Sequence, residues 1–537
     1  MTDTRITGTG TVPTPRQAAR GEMVSTETLN SIATPDRVQT RLGTMEFADG
    51  VPSAQTVQQV YDHLDFTRAV DAYLLAFQGA SMQALRNGFR AAGCADNQFM
   101  LFSGLMDSAS LFLTGNADTV YIWGFVNLHD GPMVIEVPPE SLGTIDDMWF
   151  RWVTDFGLPG PDRGTGGTYV VLPPDYDGPE PEGGVFVVRS RTFSVTVLGR
   201  SFLDHDDPAP SVATIRDSLK VYPYVPGGHG SSIGSFLAGK TPLTGLTERT
   251  PATFVEGTGR AMNTIVPNDA TLYDLLDDLV QEEPASALDP EIAGHLAAIG
   301  IVKGSQFEPD ERMRRILDEA VAAGNATART IALRPRKEEG FDYYADSPTW
   351  FNPLFRGGYE FQTPPPRITP DGVEPFPDTG ARMLNSRIAM LWIATGVTPA
   401  MCMRLTGVGS QYLLAGFDSA GEPFDGAQTY RLTLPPDIPA ARFWSLTLYD
   451  NQTRSMLQTP QRFPRAGSQG YPTPAATANP DGSTTITLAP ERPDGVAEGN
   501  WIQTVPGKGW FTLLRLYSPL APFFDQTWRP SEFDRVG

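Results

Sequence analysis

The sequence predicts a mainly β protein with helical insertions, an α+β fold in which two β-sandwich or jelly-roll-like units are joined by a helical region. The hydrophobic period changes from helical to strand-like near Asp118, returns to helical between 210 and 335, and becomes strand-like again in the last third. The 53 Gly and 48 Pro follow no period, which suits turns between short strands. A chain of 537 residues is too long for one core, so several packed units are expected.

These changes of period divide the chain into four segments. Residues 1–40 are rich in Thr, Gly and Pro and are predicted to form a flexible N-terminal arm. Residues 41–205 are predicted to hold a helical lead-in and the first β unit. A mainly helical connector is expected over 206–404, and the second β unit over 405–537.

Start signals locate the expected helices. The segment Thr56–Gln59 fits a capping box, in which a hydroxyl and an amide satisfy free backbone amides, and it predicts a helix that runs to about Ala92. Asp289, followed by proline, and Asp310 are two further start signals. A last helix is expected over Arg382–Ile393.

Strand-like runs are rich in β-branched and aromatic residues and are separated by Gly, Pro and Asp clusters. Most have no helix-length crossover between them, which favours antiparallel pairing. The predicted strands are Thr119–Leu128, Pro132–Val137, Thr168–Leu172 and Gly184–Phe202 in the first unit, and Tyr430–Leu434, Phe443–Tyr449, Thr484–Leu488 and Trp510–Tyr517 in the second.

The net charge, the cysteines and the N-terminal segment indicate which binding partners and which cellular compartment to expect. The net charge of −21 disfavours nucleic acid and anionic membranes, so a small-molecule substrate or ligand is the expected partner. Cys94 and Cys402 stand far apart without a partner motif and are expected to be free, buried thiols. The N-terminal segment has no apolar run of signal-peptide length, which predicts a cytoplasmic protein, whereas removal of a leader would make it secreted or periplasmic.

Motifs of several enzyme classes are absent or weak. The sequence has no Gly-rich phosphate loop, which disfavours nucleotide chemistry. Its five histidines do not show zinc-site spacing. Gly230–Gly234 matches the letters of a nucleophile elbow but follows a turn, which favours a flexible loop. No organic cofactor is therefore expected, and a divalent cation held by paired carboxylates stays an alternative.

Three polar clusters lie where predicted strands begin or end. They are Asn116–Tyr121, Trp149–Trp152 with Asp155 nearby, and Tyr449–Ser455. Their carboxylate, amide, phenol and guanidinium groups can position a water, orient a carbonyl and hold an anion. Asp and Asn also make turns at such places, so a purely structural role for the clusters is the alternative.

These clusters and their surroundings resemble a bacterial two-domain family. The segments similar to domain of unknown function 1254 are Asn116–Tyr121, Asp130–Pro132, Val137-Pro138 and Arg189–Arg200. The segments similar to domain of unknown function 1214 are Phe443–Arg454, Asn500–Thr504, Pro506–Lys508, Arg515–Tyr517 and Trp528. The resemblance implies the first domain within 41–205 and the second within 405–537, each a β-sandwich or jelly roll, in a homo-oligomer. It implies no catalytic residues.

Residue chemistry supplies the functional hypothesis. We expect a cofactor-independent hydrolase of a small or medium organic substrate, with its site between the two β units. Asp118 is the predicted general base, and Asn116 and Tyr121 orient the water. Arg151 or Arg454 stabilises the developing oxyanion, and Asp450 holds that arginine in place. The catalytic candidates are Asp118, Asn116, Tyr121, Asp450 and Arg454, and the substrate-binding candidates are Trp149, Arg151, Trp152 and Trp501.

Two other classes fit the same residues. A non-catalytic protein would bind a carbohydrate or a hydrophobic ligand on its aromatic side chains, and an oligomeric structural shell would bind nothing. The discriminating observation is a pocket that holds a carboxylate with a strongly raised pKa, since binding proteins rarely need one. A shared site also requires that Asn116–Tyr121 and Tyr449–Arg454 approach each other.

Overall fold

The chain is an α+β protein with helical insertions, as predicted. The computed structural model describes residues 24–230, 232–240, 246–336, 342–355, 357–363, 368–369, 372–373, 380–402 and 404–536. Residues 1–23 of the expected arm and Ser231 of the Gly230–Gly234 motif lie outside this description. The described end of the arm contains the helix Thr26–Ile32 and the strand Arg37–Thr40.

The first β unit is a sandwich of two sheets whose facing sides form one apolar core. Most neighbouring strands are antiparallel, although each sheet has one parallel pair at an edge. The six-stranded sheet consists, in spatial order, of Thr253–Glu256, Gln98–Phe102, Val120–Asn127, Ser194–Ser201, Ser141–Asp147 and Trp152–Gly157. The four-stranded sheet consists of Phe186–Arg189, Gly167–Leu172, Met133–Val137 and Lys220–Pro223.

The second β unit is also a two-sheet sandwich with its own apolar core. One parallel pair lies at the edge of its smaller sheet. The five-stranded sheet consists of Trp350–Phe351, Ser410–Ala415, Trp510–Pro519, Ala440–Asp450 and Arg465–Gly467. The other sheet consists of Trp501–Gln503, Thr484–Ala489, Thr429–Leu434 and Asp534–Val536.

Helices precede the first sandwich and fill much of the connector. The longest begins earlier than expected because Ser53, rather than Thr56, is its N-cap, and the Ser53 hydroxyl accepts from the Thr56 amide at 3.2 Å. Asp289 and Asp310 cap their helices as predicted. The helices are Thr26–Ile32, Ala54–Ala91, Ala209–Ser218, Ile233–Leu237, Thr271–Glu282, Pro290–Ala298, Glu311–Leu333, Leu384–Ile393, Pro399–Cys402 and Ala521–Phe524.

The connector also contributes strands to both sandwiches. Lys220–Pro223 and Thr253–Glu256 are edge strands of the first sandwich, and Trp350–Phe351 is an edge strand of the second. These strands are too short to display a period of two, so the sequence pattern missed them. The remaining short strands are Arg37–Thr40, Gly43–Ala48 and Val51–Pro52 in one sheet, and the pairs Ser110–Leu111 with Met262–Asn263, Gln362–Thr363 with Ala381–Arg382, and Ile368–Thr369 with Gly372–Val373.

A large apolar cluster lies where the sandwiches meet the helices. It combines Trp123 of the first sandwich, Leu513 of the second, and the buried faces of Ala54–Ala91 and Leu384–Ile393. The two cysteines are both free, which confirms that they are not bonded to each other. Among the helices of the described residues, none has the length and apolar composition needed to cross a bilayer.

Candidate functional site

The segment that leads into the Asn116–Tyr121 cluster contacts the Tyr449–Ser455 cluster. The Tyr449 hydroxyl donates to the Gly115 carbonyl oxygen at 2.7 Å, and the Thr114 amide donates to the Arg454 carbonyl oxygen at 2.8 Å. The two segments that were expected to share a site are therefore adjacent at the interface between the sandwiches.

Asp118 is fully buried and is held by groups of the second sandwich. Its Oδ1 lies 2.8 Å from Nε of Arg465, and its Oδ2 accepts from the Ser445 hydroxyl at 2.6 Å and the Tyr517 hydroxyl at 2.8 Å. Asn116 supports this arrangement, because its Oδ1 accepts from the Asp118 amide and its Nδ2 donates to the Tyr517 hydroxyl. The Asp118 carboxylate of the first sandwich therefore binds directly to groups of the second sandwich.

Arg454 and Asp450 have separate partners. The Arg454 guanidinium carbon lies 4.1 Å from the centre of the Trp392 ring, and its Nη1 donates to the Trp392 carbonyl oxygen at 3.1 Å. Burial lowers the pKa of Arg454 to about 10. The Asp450 carboxylate pairs with Nζ of Lys508 at 2.5 Å and accepts from the Gln452 amide, so it does not hold the Arg454 side chain.

The expected substrate-binding residues do not form one wall. Trp149, Arg151 and Trp152 line a cavity of about 570 Å³ beside the first sandwich. Arg151 is engaged there by Asp147, whose Oδ2 lies 2.6 Å from the arginine Nε. Trp501 belongs to the smaller sheet of the second sandwich, where its indole nitrogen donates to a backbone carbonyl oxygen at 3.0 Å.

A different cavity, of about 140 Å³, lies between the six-stranded and five-stranded sheets. We call it the interface cavity. Apolar and aromatic side chains make up most of its walls, and residues 394–401, after the helix Leu384–Ile393, line one side. Its ionisable and polar side chains include Asn116, Tyr121, Thr144, Asp155, Arg200, Ser410, Tyr412 and Arg515. Of the predicted catalytic residues, Asn116 and Tyr121 are therefore at this cavity.

Strand register places the acidic and basic groups on one face of the six-stranded sheet. Asp155 pairs with Thr144, which pairs with Leu198, and Arg200 follows two residues further along that strand. Side chains two residues apart share a face, and strand spacing and rise put the Cα atoms of Asp155 and Arg200 roughly 12 Å apart. The carboxyl and guanidinium groups therefore lie at different ends of the interface cavity.

Asp155 is the carboxyl group of this cavity. Burial raises the pKa of Asp155 to about 7. The side chains of Trp152, Thr144 and Thr398 act to lower this pKa, but the effect of burial is larger. Asp146 belongs to the same buried group of carboxyls, and burial raises its pKa well above the usual range, to which the charge of Asp155 adds. The structure thus has a cavity carboxyl that ionises near neutral pH.

Hydroxyl groups surround Arg200 at the other end. Its Nη2 donates to the Ser410 hydroxyl at 2.9 Å, and its Nη1 lies 3.5 Å from the Tyr121 hydroxyl oxygen. The Ser410 and Tyr412 hydroxyl oxygens are 2.6 Å apart and form a hydrogen bond with each other. This network joins the facing sheets, because Arg200 and Tyr121 belong to the first sandwich and Ser410 and Tyr412 to the second.

Sequence reasoning named Asp155 only as a neighbour of the Trp149–Trp152 cluster and gave it no role in the site. It did not select Arg200, Tyr412 or Arg515, because each lies within a regular strand where no local cluster of polar residues marks it. Arg200 and Arg515 do belong to the segments that carry the family resemblance, which is the available signal. Within the described residues, no three His, Cys, Asp or Glu side chains are grouped so that they could hold a metal ion.

Comparisons with known proteins find two family matches, one in the N-terminal and one in the C-terminal part of the chain. Residues 97–223 match the model of a protein of unknown function, DUF1254, and residues 409–521 match that of a protein of unknown function, DUF1214. No curated protein matches the chain.

Two solved structures are similar to the chain at low identity. The VPA0106 protein from Vibrio parahaemolyticus is 18% identical, with a TM-score of 0.49 over 88% of this chain and 100% of its own. An uncharacterised protein from Burkholderia cenocepacia is 13% identical, with a TM-score of 0.38 over 90% of this chain and 97% of its own. The chain therefore carries a match to domain of unknown function 1254 at residues 97–223 followed by a match to domain of unknown function 1214 at residues 409–521, the two-domain arrangement that its sequence predicts.

Proposed function

We propose that the protein is a cofactor-independent hydrolase of a small organic substrate and that the interface cavity is its active site. The observation that carries the proposal is the buried Asp155 carboxyl, which lines a mostly apolar cavity and whose pKa is raised by burial even though Trp152, Thr144 and Thr398 act to lower it. Small-molecule sites commonly combine an apolar cavity with a few polar groups at a unit interface.

Asp155 has the properties of a general base. A group whose pKa lies near the operating pH can both accept and return a proton, and burial raises the pKa of Asp155 to about 7. Ionised Asp155 takes a proton from water as the water oxygen bonds to the electrophilic carbon of the substrate. That proton passes to the leaving oxygen or nitrogen as its bond to the carbon breaks, which regenerates the carboxylate.

Asp118 is less suited to this role than Asp155. It is not among the residues that line the cavity, and both of its oxygens contact groups of the second sandwich. The carboxylate that would have to take a proton from water is already engaged by Arg465, Ser445 and Tyr517. We therefore assign Asp118 to the interface and proton transfer to Asp155.

The test is a turnover screen of the purified protein against pooled esters, amides and glycosides of single-ring or short-chain compounds. We expect hydrolysis by the wild-type protein and a loss of about 100-fold or more in Asp155→Asn, which is the usual contribution of a general base. Asp418→Asn is the matched control, since Asp418 is a buried carboxylate outside the cavity that accepts from nearby backbone amides.

Two outcomes would contradict the proposal. Equal turnover by wild type and Asp155→Asn would remove the assigned base. Tight binding of pooled compounds without any turnover would favour the ligand-binding alternative. The Asp155→Asn variant should remain folded, so a loss of turnover would not reflect unfolding. Asn has no charge whose burial is unfavourable and should be at least as stable as ionised Asp at this position.

A further inference from the structure

We infer that the interface cavity binds a small organic carboxylate, one ring or a short chain in size, whose carboxylate group is held by Arg200 and Arg515. The inference rests on the proposed function in that it names the substrate class of the same cavity. It depends on the charge of the cavity walls, whereas the hydrolase proposal depends on Asp155.

Arg515 is a buried cation with spare hydrogen-bonding capacity. It belongs to the strand Trp510–Pro519, is 3% exposed and lines the cavity. Its Nη2 donates to the Thr114 carbonyl oxygen at 3.0 Å, whereas its Nη1 is buried and has no hydrogen-bond partner among the described residues. An unpaired donor on a buried charged group is unfavourable, so the cavity is incomplete at this atom.

Arg200 has only neutral oxygen partners. Its described contacts are the Ser410 and Tyr121 hydroxyls and the face of the Tyr517 ring, 5.6 Å from its guanidinium carbon. In the described part of the chain, no carboxylate lies within ion-pair distance of Arg200 or Arg515. Buried charges are normally paired. A bound anion would provide the partner that the described residues do not provide for these two guanidinium groups.

The nearby carboxylates do not neutralise these arginines. Asp118 contributes to the raised pKa of Arg515, but it is already paired with Arg465. Asp118 is therefore engaged by a third arginine, and Arg200 and Arg515 have no carboxylate partner of their own among the described residues. Asp155 lies at the other end of the cavity, where burial raises its pKa to about 7 and so disfavours its charged form.

The size and lining of the cavity define the rest of the ligand. Its volume of about 140 Å³ is close to that of an engineered apolar cavity, about 150 Å³, that binds benzene. Phe112, Trp123, Leu142, Met390 and Leu513 provide apolar walls. A planar carboxylate matches the fork of a guanidinium group better than a spherical ion does. The combination fits a molecule with an apolar body and one carboxylate end.

The test is calorimetric titration of the full chain with benzoate at about pH 7, where benzoate is fully ionised. We expect benzoate to bind at least about tenfold more tightly than benzamide or benzyl alcohol, which match its size without its charge. Arg515→Gln and Arg200→Gln should each weaken benzoate binding by at least about tenfold, and the benzamide affinity should change less. Arg462→Gln is the control, because Arg462 is half exposed and pairs with Asp107 outside the cavity.

Further arms keep the inference falsifiable if a variant is unstable. Arg515→Lys keeps the charge without the fork and should retain weakened benzoate binding. Benzenesulfonate and inorganic phosphate distinguish a carboxylate site from a general anion site. Equal affinity for benzoate and benzamide, or binding of phosphate without benzoate, would overturn the inference. Benzoate binding without hydrolysis of any ester or amide would leave it standing and contradict the hydrolase proposal alone.

Discussion

Asp118 and Arg465 form a fully buried ion pair between the two sandwiches, with Oδ1 and Nε 2.8 Å apart. The contact is ionic, since the Arg465 Nε–H makes no hydrogen bond with any residue that the structure describes, while Nη1 of the arginine donates to the Thr473 hydroxyl at 2.9 Å. In the sequence, Asp118 precedes the connector over 206–404 and Arg465 follows it. The pair therefore couples the units that surround the interface cavity.

Loss of either partner should destabilise the protein strongly. We expect Asp118→Asn and Arg465→Met each to lower the free energy of unfolding by about 3–5 kcal/mol, because each leaves an unpaired or unsatisfied group in the interior. The double variant should lose less than the sum, since a shared interaction cannot be lost twice. Urea denaturation measures both effects.

A surface ion pair supplies the control for this cycle. Arg315 pairs with Glu311 at 3.2 Å and both side chains are exposed, so Arg315→Met should change the free energy of unfolding by less than about 1 kcal/mol. Additive effects of Asp118→Asn and Arg465→Met would show that the two residues are not coupled.

Gly79 provides the space that Trp149 occupies against the helix Ala54–Ala91. A Cβ atom at Gly79 would clash with the six-membered ring of Trp149. Gly79→Ala should therefore destabilise the protein by about 1–3 kcal/mol, and Trp149→Leu should relieve part of that loss. Gly294→Ala, at a helical position with open space, should be neutral or stabilising by up to about 1 kcal/mol. Thermal unfolding distinguishes these cases, and equal effects at Gly79 and Gly294 would contradict the packing account.

Glu283 should make stability depend on pH. Burial raises its pKa from 4.5 to about 8, even though its carboxylate accepts from the backbone amides of Phe193 and Ser194. Between these two values the folded chain keeps a proton that the unfolded chain has lost. The contribution of protonated Glu283 to the free energy of unfolding is therefore fully present below about pH 4.5 and is lost as pH rises through about 8.

Glu283→Gln tests this dependence directly. The variant should show a flatter plot of unfolding free energy against pH over the same window, because it has no proton to lose. Glu291→Gln, the same change at an exposed glutamate, should leave the wild-type slope unchanged. A slope that persists in Glu283→Gln would assign the dependence to another group.

The long strands and the helices were predictable because their patterns are local. Thr484–Ala489 and the helix Glu311–Leu333 repeat apolar residues at regular intervals, and Asp310 provides a cap. Edge strands such as Trp350–Phe351 are too short to show a period, and their pairing depends on distant partners.

The site was only partly predictable for the same reason. Asn116 and Tyr121 stood out in a polar cluster and do line the interface cavity. Arg200 and Arg515 each follow the pattern of an ordinary strand, and only the approach of two sheets makes them neighbours of one cavity. Strand periodicity therefore predicts on which face of its sheet each arginine side chain lies, but it does not predict a function for it.

The pH dependence of kcat/KM for a substrate from the screen tests the central claim most directly. Only ionised Asp155 can accept the proton of water, so kcat/KM should rise with pH through an apparent pKa of about 7 and level off above it. Asp155→Asn should lose both the rise and most of the activity, while Asp418→Asn should keep the wild-type profile. A rise near pH 7 that persists in Asp155→Asn, or a flat wild-type profile between about pH 5 and 9, would contradict the assignment of Asp155 as the base.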